Sequence, residues 1–313
     1  MALDEATTAL MAQLAESGGK PIHEMTPAEA RDLTAALAEM YGTGPEVHRA
    51  TDTSAPAPDG HAIPLRVLVP DERPRGVVVY YHGGGWVIGA LPEFETLART
   101  LAVRTGCAVV LVDYRMAPEN RYPAAADDSW TALRWVDAHL EEIAGARVPL
   151  VVAGDSAGGN LATIMALKAR EAGGPAIAMQ VLVYPVTDCD LDNATYVDPA
   201  NQLLLSRDSM IWFWNHYAPE PASRQNLDAC PAKATDLSGL PPAVVLTAEH
   251  DVLRQEGEAY ADALRAAGVE VRSRRFEGQM HGFFTMVNVL PGSAAGIDYV
   301  AEAVDRLLTV QPA

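Results

Sequence analysis

Cysteine is scarce in this chain of 313 residues. There are three, Cys107, Cys189 and Cys230, far apart, with no CxxC pair and no Cys/His spacing of a metal site. Such a set excludes a disulfide framework and a zinc module, and it suits reduced thiols in a cytoplasmic protein. Positive charge is also thin: 23 Lys and Arg stand against 41 Asp and Glu, for a formal net charge of −18. The longest basic run is the pair Arg274–Arg275. A phosphate backbone is repelled by such a surface, so nucleic acid is excluded as a partner. No apolar run approaches the ~18 residues of a membrane span, and no stable membrane association is expected. The opening MALDEATTAL has an acidic start and no apolar stretch, which is not the pattern of a secretory signal. Internal repeats and low-complexity tracts are missing as well.

What is present is a large apolar fraction, 49 %, enough for a substantial core. Residues 1–41 read as two helical segments, split by Gly18-Gly19-Lys20-Pro21. The second starts at Thr26-Pro27-Ala28-Glu29, where Thr26 suits an N-cap, Pro27 the first turn and Glu29 the capping-box position. A Pro/Gly/Ser-rich loop over 42–60 forms a seam between this helical piece, residues 1–50, and the body, 51–313. From residue 61 short β-branched runs alternate with amphipathic stretches. The runs are Ile63–Val69, Val77–Tyr81, Ala108–Val112, Leu150–Ala153, Val181–Tyr184, Val244–Thr247 and Val269–Arg272. Between or after them lie helical patterns such as Asp127–His139, Leu161–Glu171, Arg254–Ala267 and Ile297–Leu308. That alternation predicts an α/β protein with a mostly parallel central sheet flanked by helices. Residues 187–225 interrupt the rhythm and carry Trp212, Phe213, Trp214 and Tyr217 behind an expected N-cap at Ser206. Four aromatics in six positions cannot all face one way, which favours a lid over a plain core helix.

The strongest local signal is Gly154-Asp155-Ser156-Ala157-Gly158, a G-x-S-x-G sequence between a strand and a helix. A strand-to-helix turn this tight strains the serine backbone and requires tiny neighbours, and it leaves the Oγ exposed at the strand end. Ser156 is therefore the candidate nucleophile. Gly154–Gly159 superficially resembles the Gly-Asp-Ser-Gly-Gly of chymotrypsin-like proteases, but that serine belongs to an all-β body and this one precedes a helix. Directly after the strand Val77–Tyr81 comes His82-Gly83-Gly84-Gly85-Trp86. Paired with the serine turn, this glycine loop suits an oxyanion hole built from the N–H groups of Gly84, Gly85 and Ala157. His82 and Gly83 brace the loop.

Of eight histidines, His281 alone follows the last strand at the expected edge of the sheet, which makes it the candidate base. Asp251 closes a strand 95 residues after Ser156 and 30 before His281 (251 − 156 and 281 − 251). It is the preferred acid, although Asp188 also closes a strand at that edge and the order permits both. Expected pocket walls are Trp86, Asp155, Tyr184, Trp212 and Phe213.

These residues resemble the bacterial hormone-sensitive-lipase family of esterases, family IV. The elements stand as HGGGW (82–86), DYRMAPE (113–119), RYPAA (121–125), GDSAGGN (154–160), YPVTD (184–188), HDVLRQEG (250–257) and MHGF (280–283). The resemblance implies the α/β-hydrolase fold, with Ser156, Asp251 and His281 as triad. It implies a helical cap from the N-terminal helices and the 187–225 insert. It also implies hydrolysis of short- to medium-chain acyl esters through an acyl-enzyme, with no cofactor or metal, and it allows a homodimer. The plant gibberellin receptor, a binding protein similar to this family, lacks the histidine that His281 supplies here. Amidase, lactonase and carbamate hydrolase activities would use the same groups, and no local feature separates them.

Overall fold

The computed structural model describes residues 2–16 and 18–310. Met1 and Ser17 of the N-terminal piece, and 311–313 of the body, lie outside the described residues. The strands are β1 (Arg49–Pro56), β2 (Ala62–Val69), β3 (Val77–Tyr81), β4 (Ala108–Val112), β5 (Leu150–Asp155), β6 (Ile177–Val183), β7 (Ala243–His250) and β8 (Val271–Met280). They form one sheet in the order β1-β2-β4-β3-β5-β6-β7-β8. Strands β1 and β2 pair antiparallel, as do β2 and β4, and every pairing from β4 to β8 is parallel.

The α-helices are α1 (Glu5–Glu16), α2 (Pro27–Ala38), α3 (Leu91–Thr105), α4 (Ala124–Ala138), α5 (Leu140–Ala144), α6 (Ala157–Ala172), α7 (Ala194–Val197), α8 (Arg207–Tyr217), α9 (Arg254–Ala266) and α10 (Pro291–Val310). They cover both faces of the sheet, and strand side chains alternate between two cores. In β3, Val77, Val79 and Tyr81 join a core with Ala132 and Leu133 of α4, Leu161 of α6 and Leu264 of α9. Val78 and Tyr80 face the other core, with Leu97 and Leu101 of α3 and Val300 and Val304 of α10. This two-sided burial is why the central strands are continuous apolar runs. Each buried Val or Leu contributes roughly 1.5–3 kcal/mol.

The polar strand β1 lies where a loop is expected. It is an edge strand pairing only with β2 and is largely exposed, so it needs little apolar patterning. The other edge strand, β8, runs to Met280 rather than ending at Arg272. Its Ser273, Arg274 and Arg275 are exposed, and such polar residues mask a strand from a hydrophobicity reading. Helix α6 begins four residues before the expected Leu161, directly after Ser156.

The N-terminal segment is bound to the body by specific polar contacts. Helix α2 has the capping box at Thr26 and Glu29. Arg31 on α2 donates bidentately to Glu119 (2.9 and 2.7 Å), and also to the carbonyls of Val87 (2.8 Å) and Ala117 (2.9 Å). Asp4, just before α1, donates its N–H to the Gly278 carbonyl (3.0 Å) and accepts from the Gln279 amide (2.6 Å). Trp212 of α8 donates its indole N–H to the Met25 carbonyl at 3.2 Å. Among the described residues, no helix is long and apolar enough to cross a membrane.

Candidate active site

The parallel register sets Tyr81 of β3 opposite Gly154 of β5, so the chain leaves both strands side by side at one sheet edge. Ser156 follows at φ 55°, ψ −118°, a conformation that L side chains rarely adopt. Three hydrogen bonds hold it there. Its N–H donates to the Val183 carbonyl (2.9 Å), and its carbonyl accepts from Asn160 (3.0 Å) and Val186 (3.1 Å). A Cβ on Gly158 would overlap the Tyr81 carbonyl, and one on Gly154 would overlap Gly158, so only glycine fits at either place. Ser156 is 6 % exposed.

Across from it the glycine loop takes positive φ at Gly84 (105°) and Gly85 (56°). A Cβ would meet the Ile88 carbonyl at Gly84 and the Phe213 ring at Gly85. The Gly84 carbonyl is used inward, accepting from Val87 (3.0 Å) and Ile88 (2.9 Å). The N–H groups of Gly84, Gly85 and Ala157 have no protein acceptor among the described residues, and Ala157 opens α6, where the helix presents unpaired donors.

His82 lies behind the loop, fully buried and stacked on Tyr114 with ring centroids 4.4 Å apart. Burial lowers its pKa to about 4, so the ring is neutral. Its Nδ1 lies 2.7 Å from the Gly83 carbonyl, an acceptor, and therefore carries the proton. Tyr114 donates its hydroxyl to the His82 carbonyl at 2.7 Å. Gly83 donates its N–H to Asp155 Oδ1 at 3.0 Å, and the Tyr80 hydroxyl donates to the same oxygen at 2.8 Å. Burial pushes the Asp155 carboxyl up to about 6, against the lowering effect of Tyr80, His281 and the Gly83 N–H.

His281 follows β8 directly, and Asp251 follows β7. The His281 Nδ1 lies 2.8 Å from Asp251 Oδ2. Asp251 is fully buried and its other oxygen accepts the Leu253 N–H at 2.9 Å, which fixes the carboxylate plane. The His281 ring packs on Tyr184, 4.6 Å between centroids. The rival acid, Asp188, spends its Oδ1 on the Cys189 N–H (2.8 Å) and lies 3.9 Å from the Lys233 ammonium.

Ser156, Gly84, Gly85, Asp155 and His281 all open onto one cavity of about 570 Å³. That volume suits a small organic ligand. Its far walls come from Met11 and Leu14 of α1, Leu33 and Leu37 of α2, Leu203–Leu205, and Met210 and Phe213 of α8. Two expected walls, Asp155 and Phe213, are among the lining residues, and three are not. Trp86 is wholly buried behind the glycine loop, stacked on Tyr217 at 4.2 Å. Tyr184 lies beneath His281, and Trp212 turns away toward Met25. Adjacency in sequence to a site residue placed these three close to the site but gave no information on which way they point. The α1 and α2 residues were missed because their apolar spacing marks a buried face without showing what that face covers.

A mostly parallel sheet whose central strand ends in a strained serine turn, with Asp and His on later strand ends, defines an α/β-hydrolase. Residues 78–285 match the family model described as alpha/beta hydrolase fold. The chain is 43 % identical over 254 residues to carboxylesterase NlhH of Mycobacterium tuberculosis, spanning 79 % of each chain. It is 35 % identical over 309 residues to an ethyl acetate hydrolase of Pseudomonas putida, spanning 95 % of this chain and 96 % of that one. Among solved structures it is similar to a thermostable esterase from Pseudomonas putida ECU1011. That match has a TM-score of 0.90 and 37 % identity, covering 100 % of this chain and 99 % of the other. The α/β hydrolase LAE6 from the Lake Arreo metagenome matches with a TM-score of 0.92 and 34 % identity, over 98 % and 99 %. The chain belongs to the α/β-hydrolase family, in its hormone-sensitive-lipase-like branch of carboxylesterases.

Proposed function

We propose that this chain is a serine carboxylesterase acting on esters of short to medium acyl chains, with Ser156, Asp251 and His281 as triad. The observation that carries the reading is the 2.8 Å pair of His281 and buried Asp251 opening onto the same cavity as the strained Ser156. Asp251 accepts a hydrogen bond from the Nδ1–H of His281, which keeps the proton on Nδ1 and leaves Nε2 free to take one from Ser156. Ser156 Oγ attacks the ester carbonyl carbon as its proton passes to His281 Nε2. The carbonyl oxygen becomes an oxyanion received by the N–H groups of Gly84, Gly85 and Ala157. Collapse of this intermediate breaks the bond to the alcohol oxygen, which leaves with the proton from His281. Water then attacks the acyl carbon as His281 Nε2 takes its proton; the bond to Ser156 Oγ breaks, Oγ regains a proton from His281, and the acid is released. His82 and Gly83 hold the loop that carries two of the three donors.

In this reading residues 1–50 and 187–225 form the cap over a body of 51–313, and the cavity walls supplied by α1, α2 and α8 support that division. An apolar cavity of this size supports short to medium acyl groups. The edge strand β8, with exposed residues and one neighbour, supports pairing with a second copy. The three free thiols and the acidic surface support a reducing, cytoplasmic setting.

Fluorophosphonate labelling of the wild type, abolished in Ser156→Ala, tests the nucleophile; an unlabelled folded wild type would refute it. A series of p-nitrophenyl esters from acetate to palmitate, with matched anilides, tests the substrate class. Maximal kcat/KM is expected at short to medium chains, and a maximum at palmitate or on anilides would overturn the assignment.

A further inference from the structure

Outside the hydrolytic site, the sulfurs of Cys189 and Cys230 and a carboxylate oxygen of Asp188 all lie within 4.8 Å of one another. Cys189 stands at the start of the 187–225 insert, and Cys230 five residues past its end (230 − 225). Cys189 comes six residues after β6, where the chain leaves the sheet, and Cys230 lies where it returns. The backbone is already stitched at this point. Ala232 donates its N–H to the Thr187 carbonyl (2.9 Å), and the Asn160 amide donates to both Val186 and Ala229 carbonyls (2.9 Å each). The 40 residues between them (190–229) include α8 and Phe213.

The two thiols differ in the way a reactive pair requires. Cys189 is half-buried, and Cys230 is fully enclosed. The Cys230 S–H, with the nearby Lys233 and Arg224 cations, pulls the Cys189 thiol down, against burial and the Asp188 charge. A low, accessible thiol beside a buried partner is the arrangement of an oxidisable dithiol. Lys233 beside Asp188 disfavours a divalent cation at the same place. Cys107 lies elsewhere, buried at the start of β4 with its thiol against the Thr105 carbonyl.

We infer that Cys189 and Cys230 form a reversible disulfide when the protein meets a peroxide, stapling the base of the insert that carries Phe213 over the cavity. The Cys189 thiolate attacks one oxygen of hydrogen peroxide, breaking the O–O bond and leaving a sulfenic acid and hydroxide. The Cys230 sulfur then attacks the Cys189 sulfur, and the sulfenic oxygen departs with two protons as water. In sum two thiols lose two hydrogens and the peroxide becomes two waters. A dithiol reductant reverses the step.

The full reduced chain treated with stoichiometric hydrogen peroxide should lose two of its three thiols, measured after denaturation, and regain them with dithiothreitol. Trypsin should release peptide 171–207 joined to 225–233. The link should persist in Cys107→Ser and vanish in Cys189→Ser. Closing a loop of this length should raise Tm by roughly 5–10 °C. Sulfinic or sulfonic acid at Cys189 with Cys230 still free would overturn the inference. So would a link to Cys107 or between chains, or retention of all three thiols. A cross-linked chain melting no higher than the reduced one would overturn the staple.

Discussion

Asp155 accepts the N–H of Gly83 at 3.0 Å, so the residue preceding Ser156 also anchors the glycine loop facing it. The two halves of the proposed acyl-transfer machinery are thus joined through one buried carboxyl, rather than merely placed side by side by β3 and β5.

That carboxyl is held up at about 6 by burial. A raised carboxyl binds its proton more tightly in the folded state than in the unfolded one. Folding stability is therefore lost as pH rises from about 4 to 6, and the penalty is complete above that range. Its size is on the order of 3 kcal/mol. Asp155→Asn carries no such ionisation, so its stability relative to wild type should increase across this window. Urea midpoints measured from pH 4 to 7 check this, and parallel curves for the two proteins would contradict it.

Asp251→Asn should leave the fold intact and lower kcat by roughly 10³–10⁴, because an amide at 2.8 Å from Nδ1 favours the wrong imidazole tautomer. Asp188→Asn should keep kcat within a factor of about three. Steady-state kinetics with p-nitrophenyl butyrate separate the two, and the reverse ranking would transfer the role to Asp188.

Gly85 and Phe213 meet across the cavity, where any Cβ on Gly85 would overlap the ring. Gly85→Ala should lower kcat by about 10²–10³ by displacing an oxyanion donor. Adding Phe213→Ala should restore part of the loss, since it relieves the overlap but not the positive φ. Phe213→Ala alone should raise the octanoate-to-butyrate ratio of kcat/KM about tenfold, as room opens for methylenes worth about 0.8 kcal/mol each. An unchanged ratio would remove Phe213 from the acyl pocket.

Arg31 holds α2 to the body through Glu119 and two backbone carbonyls, and Glu119 is depressed to about 2 mainly by that guanidinium. A depressed carboxyl stabilises the fold at pH above its unfolded value, near 4.5, and loses that effect as pH falls toward 2. The exposed ion pair adds little, whereas the carbonyl contacts are worth about 1–2 kcal/mol. Arg31→Met should therefore lower Tm modestly and raise KM several-fold with kcat nearly kept, since α2 lines the cavity but supplies no member of the proposed triad. A fall in kcat with KM unchanged would argue against this.

Much of the fold and the site was legible in the chain because its signals are local. The apolar run Val77–Tyr81 is the whole of β3, Thr26 and Glu29 make their capping box, and Ser206 caps α8 through the Ser209 N–H at 3.1 Å. Each depends on neighbours a few residues away. The edge strands β1 and β8 were obscured because a strand covered on one side alone need not be apolar. Trp86 and Tyr184 carry no sequence mark of direction; packing sets Trp86 on Tyr217 and Tyr184 on His281, outside the cavity lining.

The chemical parts can be read from the chain alone: a serine in a G-x-S-x-G turn, a glycine loop after a strand, and a candidate acid and base in workable order. Residue type and short-range backbone sterics are enough for that. Tertiary packing sets Asp251 rather than Asp188 against His281 and places α1, α2 and α8 around the cavity. It also brought Cys189 and Cys230 together. Those relationships join segments tens to hundreds of residues apart, and they exist only after sheet register and helix packing have fixed where each strand end lies.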